Sequence, residues 1–186
     1  MRIFSLRNDR TDVRPAGVAV FRWGALDPEI AHQIGFEEQY LEFHRYLLEN
    51  LQSVPEEKPY YAPRPISLSL RAGAVKAFVV FSCSIIEGVL ANWGKKLEIS
   101  NHPNQLSKRP LGGLLRAWCV DGQPRGEIAP IWDDLNLILE YRNFIHLERA
   151  VANDNAYWQN ILDREQELLS SVDRCLAHLS ECCGGL

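Results

Sequence analysis

Apolar residues recur at three- and four-residue steps along most of the chain beyond residue 27, which is the spacing of one face of an α-helix. The stretch from Val75 to Trp93 is more apolar than a surface helix and is typical of the central helix of a bundle. The fold class predicted from this pattern is all-α, a four- to five-helix bundle. The predicted helices span about 28–52, 67–97, 111–120, 127–152 and 155–182.

Capping residues and prolines mark the ends of these helices. Asp27 followed by Pro28 is a favourable start for the first helix. The dense group Asn153-Asp154-Asn155 ends the fourth helix. Prolines, glycines and asparagines predict the remaining connections and turns, at 55–65, 98–110 and 123–126.

The first residues of the chain do not share this helical spacing. The segment Val18-Ala19-Val20-Phe21-Arg22-Trp23 predicts a short strand or an extended segment, bounded by Pro15 and Gly24. We therefore interpret residues 1–26 as an irregular or short-strand N-terminal arm and residues 27–186 as a single helical domain.

Composition narrows the class of protein. The chain has 186 residues, with 46% hydrophobic and 24% charged, as in an ordinary globular domain. The net charge of −4 gives no basic surface overall, so nucleic-acid contact would need a local cluster of basic residues. No run of 18 apolar residues and no secretory signal are evident, so we expect no membrane association and a cytoplasmic location.

Common cofactor and metal motifs are not found in the sequence. The five cysteines form no Cys-x-x-Cys pair and no zinc-ligand spacing with histidine, which fits a reducing compartment. There is no glycine-rich phosphate loop, Gly-x-Ser-x-Gly or His-Glu-x-x-His. We expect neither a metal nor another cofactor.

The candidate chemistry lies late in the fourth predicted helix. Arg142 and His146 are one helical turn apart, so they share a face, about 5–6 Å apart at Cβ. An arginine fork binds phosphate, and a histidine can take a proton from a ribose hydroxyl or give one to a leaving oxygen. With Asn143 as a further polar group, this set can break a phosphodiester without a metal, using the 2′-hydroxyl as nucleophile. Two polar groups on an apolar stripe are also expected to lie at a core or an interface, where they need partners.

Glu87 is the only acid between Leu68 and Lys95, inside the apolar central helix. One interpretation is an edge carboxylate or an internal partner for an arginine. The other is a supporting residue of the candidate site, which orients His146 or holds Arg142.

Two segments carry a resemblance to a known family. Phe81 to Leu90 reads Phe-x-x-x-x-Ile-Glu-Gly-x-Leu, and a later helix carries Tyr-Arg-Asn-x-x-His at Tyr141 to His146. Together they resemble the HEPN superfamily (higher eukaryotes and prokaryotes nucleotide-binding), over about residues 67–180. Three residues separate Arg142 from His146, one fewer than the shortest form of that family's Arg-x(4–6)-His motif. An unbroken helix still places both on one face.

The resemblance implies a helical bundle that dimerises so that two motifs face each other across a cleft and cleave RNA without metal. It implies that Arg142 binds phosphate, Asn143 positions it and His146 is the general acid or base. It also implies a toxin–antitoxin or antiviral defence setting, with an antitoxin or another protein as partner. The alternative, also found in that family, is a non-catalytic interaction or dimerisation module in which Arg142 and His146 are buried polar anchors.

Overall fold

The computed structural model describes residues 22–50, 68–144, 157 and 159–184. Within these ranges the chain is almost entirely helical, so the predicted all-α fold class is confirmed. The only described strands form one small antiparallel hairpin. The α-helices are α1 (Pro28–Asn50), α2 (Leu68–Lys96), α3 (Leu111–Ala117), α4 (Trp132–Phe144) and α5 (Glu165–Cys183). The structure also contains two 3₁₀ helices (Pro103–Lys108 and Ala129–Ile131) and the strands β1 (Cys119–Val120) and β2 (Gln123–Pro124). Arg22 and residues 159–163 are helical too.

Helix α2 is the central element, as its apolar pattern predicts. It packs against α1, α3, α4, α5 and the first 3₁₀ helix. Phe78, Ile86 and Val89 have no exposed surface, and together with residues of the surrounding helices they form one continuous core. By length and composition α2 is the one described helix that could cross a membrane, a property it shares with buried core helices.

The connection at 98–110 contains a 3₁₀ helix where the sequence predicts a loop. The helix begins at Pro103, whose fixed φ suits a first helical position. Leu106 is completely buried, and its carbonyl accepts a 3.0 Å hydrogen bond from the Arg109 amide. The single leucine therefore ties this segment to the core.

The third predicted helix is shorter than expected because its last residues belong to a hairpin. Helix α3 ends at Ala117, and Cys119–Val120 then pairs with Gln123–Pro124. The connecting residues Asp121 and Gly122 have φ values of 50° and 79°, the left-handed conformation that a two-residue hairpin loop requires. Of the turn predicted at 123–126, the first two residues are strand β2, and a turn follows at 126–128.

The predicted helix at 127–152 begins as the second 3₁₀ helix and becomes α4 at Trp132, and its part beyond Phe144 lies outside the described residues. The predicted helix at 155–182 is interrupted. Residues 159–163 are helical, Arg164 is a turn residue (φ −110°, ψ 11°), and α5 begins at Glu165. The heptad-like spacing on both sides of Arg164 does not reveal this break.

The predicted strand at 18–23 lies mostly outside the described residues. Its described end is not a strand, since Arg22 is helical and Trp23 begins a turn. Trp23 is completely buried, and the Ala25 amide donates a 2.7 Å hydrogen bond to the Cys183 carbonyl. This segment therefore packs on the C-terminal end of α5.

Candidate functional site

Arg142 lies in the last described turn of α4, at the edge of the core. Leu135 and Ile138, which precede it on the same stripe, are completely buried. The Arg142 side chain keeps 32% of its surface exposed. The stripe therefore anchors α4 against the bundle, and the Arg142 side chain remains partly open to solvent.

Glu87 of α2 contacts Arg142 directly. Its Oε1 atom lies 3.2 Å from Arg142 Nη2 and accepts a 2.7 Å hydrogen bond from the Leu111 amide. One carboxylate oxygen thus connects α2, the start of α3 and the end of α4. Of the two sequence interpretations, an arginine partner is what the structure contains, while any contact with His146 lies outside the described residues.

The contact with Glu87 occupies only part of the hydrogen-bonding capacity of the Arg142 guanidinium. It has five N–H donors in a planar fork, and the contact with Glu87 involves one nitrogen. The remaining donors can bind an anion that approaches from solvent. The arrangement is suited to a phosphate group.

Cys83 lies one turn before Glu87 on α2 and is influenced by the charges of both Glu87 and Arg142. Burial raises the pKa of the Cys83 thiol to about 12, and the positive charge of Arg142 opposes this only partly. The thiol is therefore neutral at physiological pH, and only a thiolate is an effective nucleophile. Cys83 packs beside the pair and does not add a reactive group to it.

The structure brings Glu87 and Arg142 together but does not describe the whole predicted set. Asn143 is exposed on the last turn of α4, beside Arg142 in sequence. His146 lies outside the described residues. No group of three or more potential metal ligands occurs in the described ranges.

A groove that sequence reasoning missed adjoins this pair. It has a volume of about 710 Å³ and lies between the start of α1, the C-terminal half of α2 and the first 3₁₀ helix. Glu87 is one of its lining residues, together with Lys95 and Arg109. The sequence gives no signal for it because the wall at 103–109 is formed by a segment that reads as a loop.

Known proteins do not supply an identity for this site. No protein-family model matches the chain, and neither a curated protein nor a solved structure matches it.

Proposed function

We propose that the chain is a HEPN-like, metal-independent endoribonuclease that acts in the cytoplasm as a homodimer, in a toxin–antitoxin or antiviral defence system. The observation that carries this proposal is the pairing of Arg142 with Glu87 at the edge of the core, with about one-third of the Arg142 side chain exposed. An arginine that served only as a core anchor is expected to be more fully enclosed. His146 follows one helical turn later in the sequence.

In the proposed reaction Arg142 binds the scissile phosphate and His146 acts as the general acid or base. Removal of the 2′-hydroxyl proton lets that oxygen attack phosphorus, and the bond from phosphorus to the 5′-oxygen breaks. The leaving 5′-oxygen takes up a proton, and the other product ends in a 2′,3′-cyclic phosphate. Asn143 positions the phosphate through its amide, and no step requires a metal.

Glu87 acts in this scheme as a positioning residue. Its carboxylate is fixed by the Leu111 amide and in turn fixes one nitrogen of Arg142. A fixed guanidinium needs less reorganisation when negative charge develops on the phosphate, and such preorganised groups contribute strongly to catalysis.

The test is cleavage of single-stranded RNA by the full-length wild type and by the variants His146→Ala and Arg142→Ala. We expect each variant to lose about 10²-fold or more in rate, since that is the usual contribution of a positioned acid or base or of an oxyanion-binding group. Arg116→Ala is a matched control, because Arg116 is an exposed arginine on α3. Wild-type products should carry 2′,3′-cyclic phosphates, and equal cleavage by all four proteins would refute the proposal.

A second function is favoured by a different observation. Phe36, Tyr40 and Phe43 lie on one face of α1 and are 41%, 57% and 43% exposed. An apolar face of this kind is typical of interaction surfaces. The chain would then be a non-catalytic dimerisation module. Phe43→Ser would weaken subunit association in sedimentation experiments, and neither the wild type nor Arg142→Ala and His146→Ala would cleave RNA.

A further inference from the structure

The groove beside Glu87 has the size of a small-molecule site. Its volume of about 710 Å³ falls within the range of about 300–1,000 Å³ that is usual for ligand pockets. Its walls are mainly apolar, from residues such as Ile30, Ala91 and Pro103, with the polar side chains of Asn104 and Ser107 among them. A ligand that fits it combines a flat apolar part with hydrogen-bonding groups.

Two of the three acids that line the groove are already paired. Asn92 donates a 2.7 Å hydrogen bond to the Asp27 carboxylate, and Lys96 lies 3.2 Å from the same group. These contacts, with that of Asn92 the stronger, hold the pKa of Asp27 below its usual value. Glu87 is paired with Arg142, so Glu29 is the one lining acid without an ion pair to a described residue.

The two lining cations, in contrast, are available. Neither Lys95 nor Arg109 forms an ion pair or side-chain hydrogen bond with any residue that the structure describes. The backbone of Arg109 is nevertheless fixed, because its amide bonds to the carbonyl of the buried Leu106. Among the described residues, the groove thus has two cations without an ion pair and one such acid, Glu29. The surplus of positive charge, with a guanidinium on a fixed backbone, favours an anionic ligand.

Glu87 links the groove to the candidate site. It lines the groove and contacts Arg142, and Arg109 precedes by two residues the Leu111 amide that holds Glu87. For an RNA strand with its scissile phosphate at Arg142, the groove is therefore a neighbouring site. Its apolar wall suits a base, and the side chains of Asn104 and Ser107 suit sugar hydroxyls.

We infer that this groove binds a ribonucleotide of the RNA strand next to the scissile phosphate, with Arg109 and Lys95 as the phosphate contacts. The inference rests on the proposed function, since it takes RNA as the substrate. A free nucleotide has the same chemistry of base, ribose and phosphate, so the experiment separates the two sources. Arg109 is then the principal anion contact of this groove.

The experiment measures binding and not cleavage. Full-length protein is titrated into a fluorescein-labelled, single-stranded 2′-O-methyl RNA, which cannot undergo attack by a 2′-hydroxyl, and anisotropy gives the Kd. We expect Arg109→Ala to weaken binding about tenfold or more and Lys95→Ala to weaken it less, because the guanidinium fork donates two hydrogen bonds and the ammonium is a point charge. The slope of log Kd against log salt should also fall by about 1 for each lost phosphate contact.

Lys108→Ala is the matched control, because Lys108 is the exposed neighbour of Arg109 and does not line the groove. It removes the same charge and should change Kd by less than about twofold. Arg109→Lys should bind with intermediate affinity, which shows that the effect comes from the fork and not from misfolding. A second series of titrations uses adenosine 5′-monophosphate as the ligand, and calorimetry gives the Kd for each protein.

Each outcome decides the inference. Loss of RNA binding in Arg109→Ala but not in Lys108→Ala supports it, and loss confined to adenosine 5′-monophosphate assigns the groove to a free nucleotide instead of a strand. Equal Kd values for Arg109→Ala, Lys108→Ala and wild type overturn it, as does a wild type that binds neither ligand. Cleavage that survives Arg142→Ala and His146→Ala refutes the nuclease mechanism but leaves an Arg109-dependent Kd intact, so the two failures are distinguishable.

Discussion

Two glutamates in the first turn of α5 have different surroundings, although the sequence predicts the same exposure for both. Charge pattern predicts that Glu165 and Glu167 both belong to the solvated face, with Arg164 and Arg174. Glu165 is instead 7% exposed and forms two hydrogen bonds, of 2.9 and 2.8 Å, with the guanidinium of Arg71 on α2. The prediction that Glu165 lies on the solvated face is therefore wrong, because the break at Arg164 turns the first residue of α5 toward the bundle.

Replacing Glu165 should cost stability because it breaks this pair. We expect Glu165→Gln to lower the free energy of unfolding by about 1–3 kcal/mol, less than for a fully buried pair since Arg71 keeps some exposure. Denaturation in urea, followed by circular dichroism, measures the change.

Glu167→Gln provides the comparison at the same helix end. Glu167 pairs with Arg164, but 51% of its side chain is exposed. Its loss should leave the free energy of unfolding nearly unchanged, because exposed ion pairs contribute little to stability. Equal losses in the two variants would contradict the account of a buried pair between α2 and α5.

At the scale of elements, two glycines of α2, Gly73 and Gly94, differ in the space around them. Gly94 lies where α2 meets the loop and the hairpin: an added Cβ would lie 2.7 Å from Ile99 Cδ1 and 3.3 Å from Trp118 Nε1. The Trp118 ring cannot withdraw easily, because its Nε1 donates a 3.1 Å hydrogen bond to the Leu90 carbonyl. A Cβ added at Gly73, on the same helix, would meet no atom outside that helix's own backbone within 4 Å, among the residues that the structure describes.

We expect Gly73→Ala and Gly94→Ala to change stability in opposite directions. Gly73→Ala should raise the free energy of unfolding by about 0.5–1 kcal/mol through helix propensity alone. Gly94→Ala gains the same propensity but must displace Ile99, and we expect a net loss of about 1 kcal/mol or more. Thermal unfolding of both variants tests the difference, and a stabilised Gly94→Ala would show that the contact at this position is loose.

The sequence predicts an element best where the signal for that element is local. The periodicity from Val75 to Trp93 and the Asp27-Pro28 start identify α2 and the first residue of α1, because both signals are local. The helix at Pro103–Lys108 and the break at Arg164 depend on tertiary packing, such as the burial of Leu106, and no local pattern encodes them. The same limit applies to the candidate site: Glu87 and Arg142 can each be selected by residue type, whereas the groove beside them exists only in three dimensions.

At the scale of the whole molecule, the stability of the fold depends on pH through a partly buried histidine. The ring of His44 stacks on Phe81, with 4.9 Å between ring centroids, and its Nδ1 atom is buried without a hydrogen-bond partner in the described structure. Burial lowers the pKa of His44 below its usual value of 6.5. The His44 ring therefore binds a proton less tightly in the folded chain than in the unfolded chain. The contribution of His44 to the free energy of unfolding is full above pH 6.5 and is lost as the pH falls below that value.

His44→Phe should remove this part of the pH dependence. We expect the wild type to lose more stability than the variant between pH 7.5 and pH 5.5, by less than about 1 kcal/mol because the ring is only partly buried. Urea denaturation at the two pH values measures both proteins. His102→Gln, at an exposed histidine, should behave like the wild type, and an identical pH dependence of all three would exclude His44 as the titrating group.

The hydrogen bond from Ala25 to Cys183 has a consequence for synthesis of the chain. Trp23 is made before any helix of the bundle, whereas the end of α5 that its segment contacts lies about 160 residues further along the chain. During translation this indole therefore remains without its final surroundings until α5 has left the ribosome. The segment at Trp23 can take its native position only after α5 has been made.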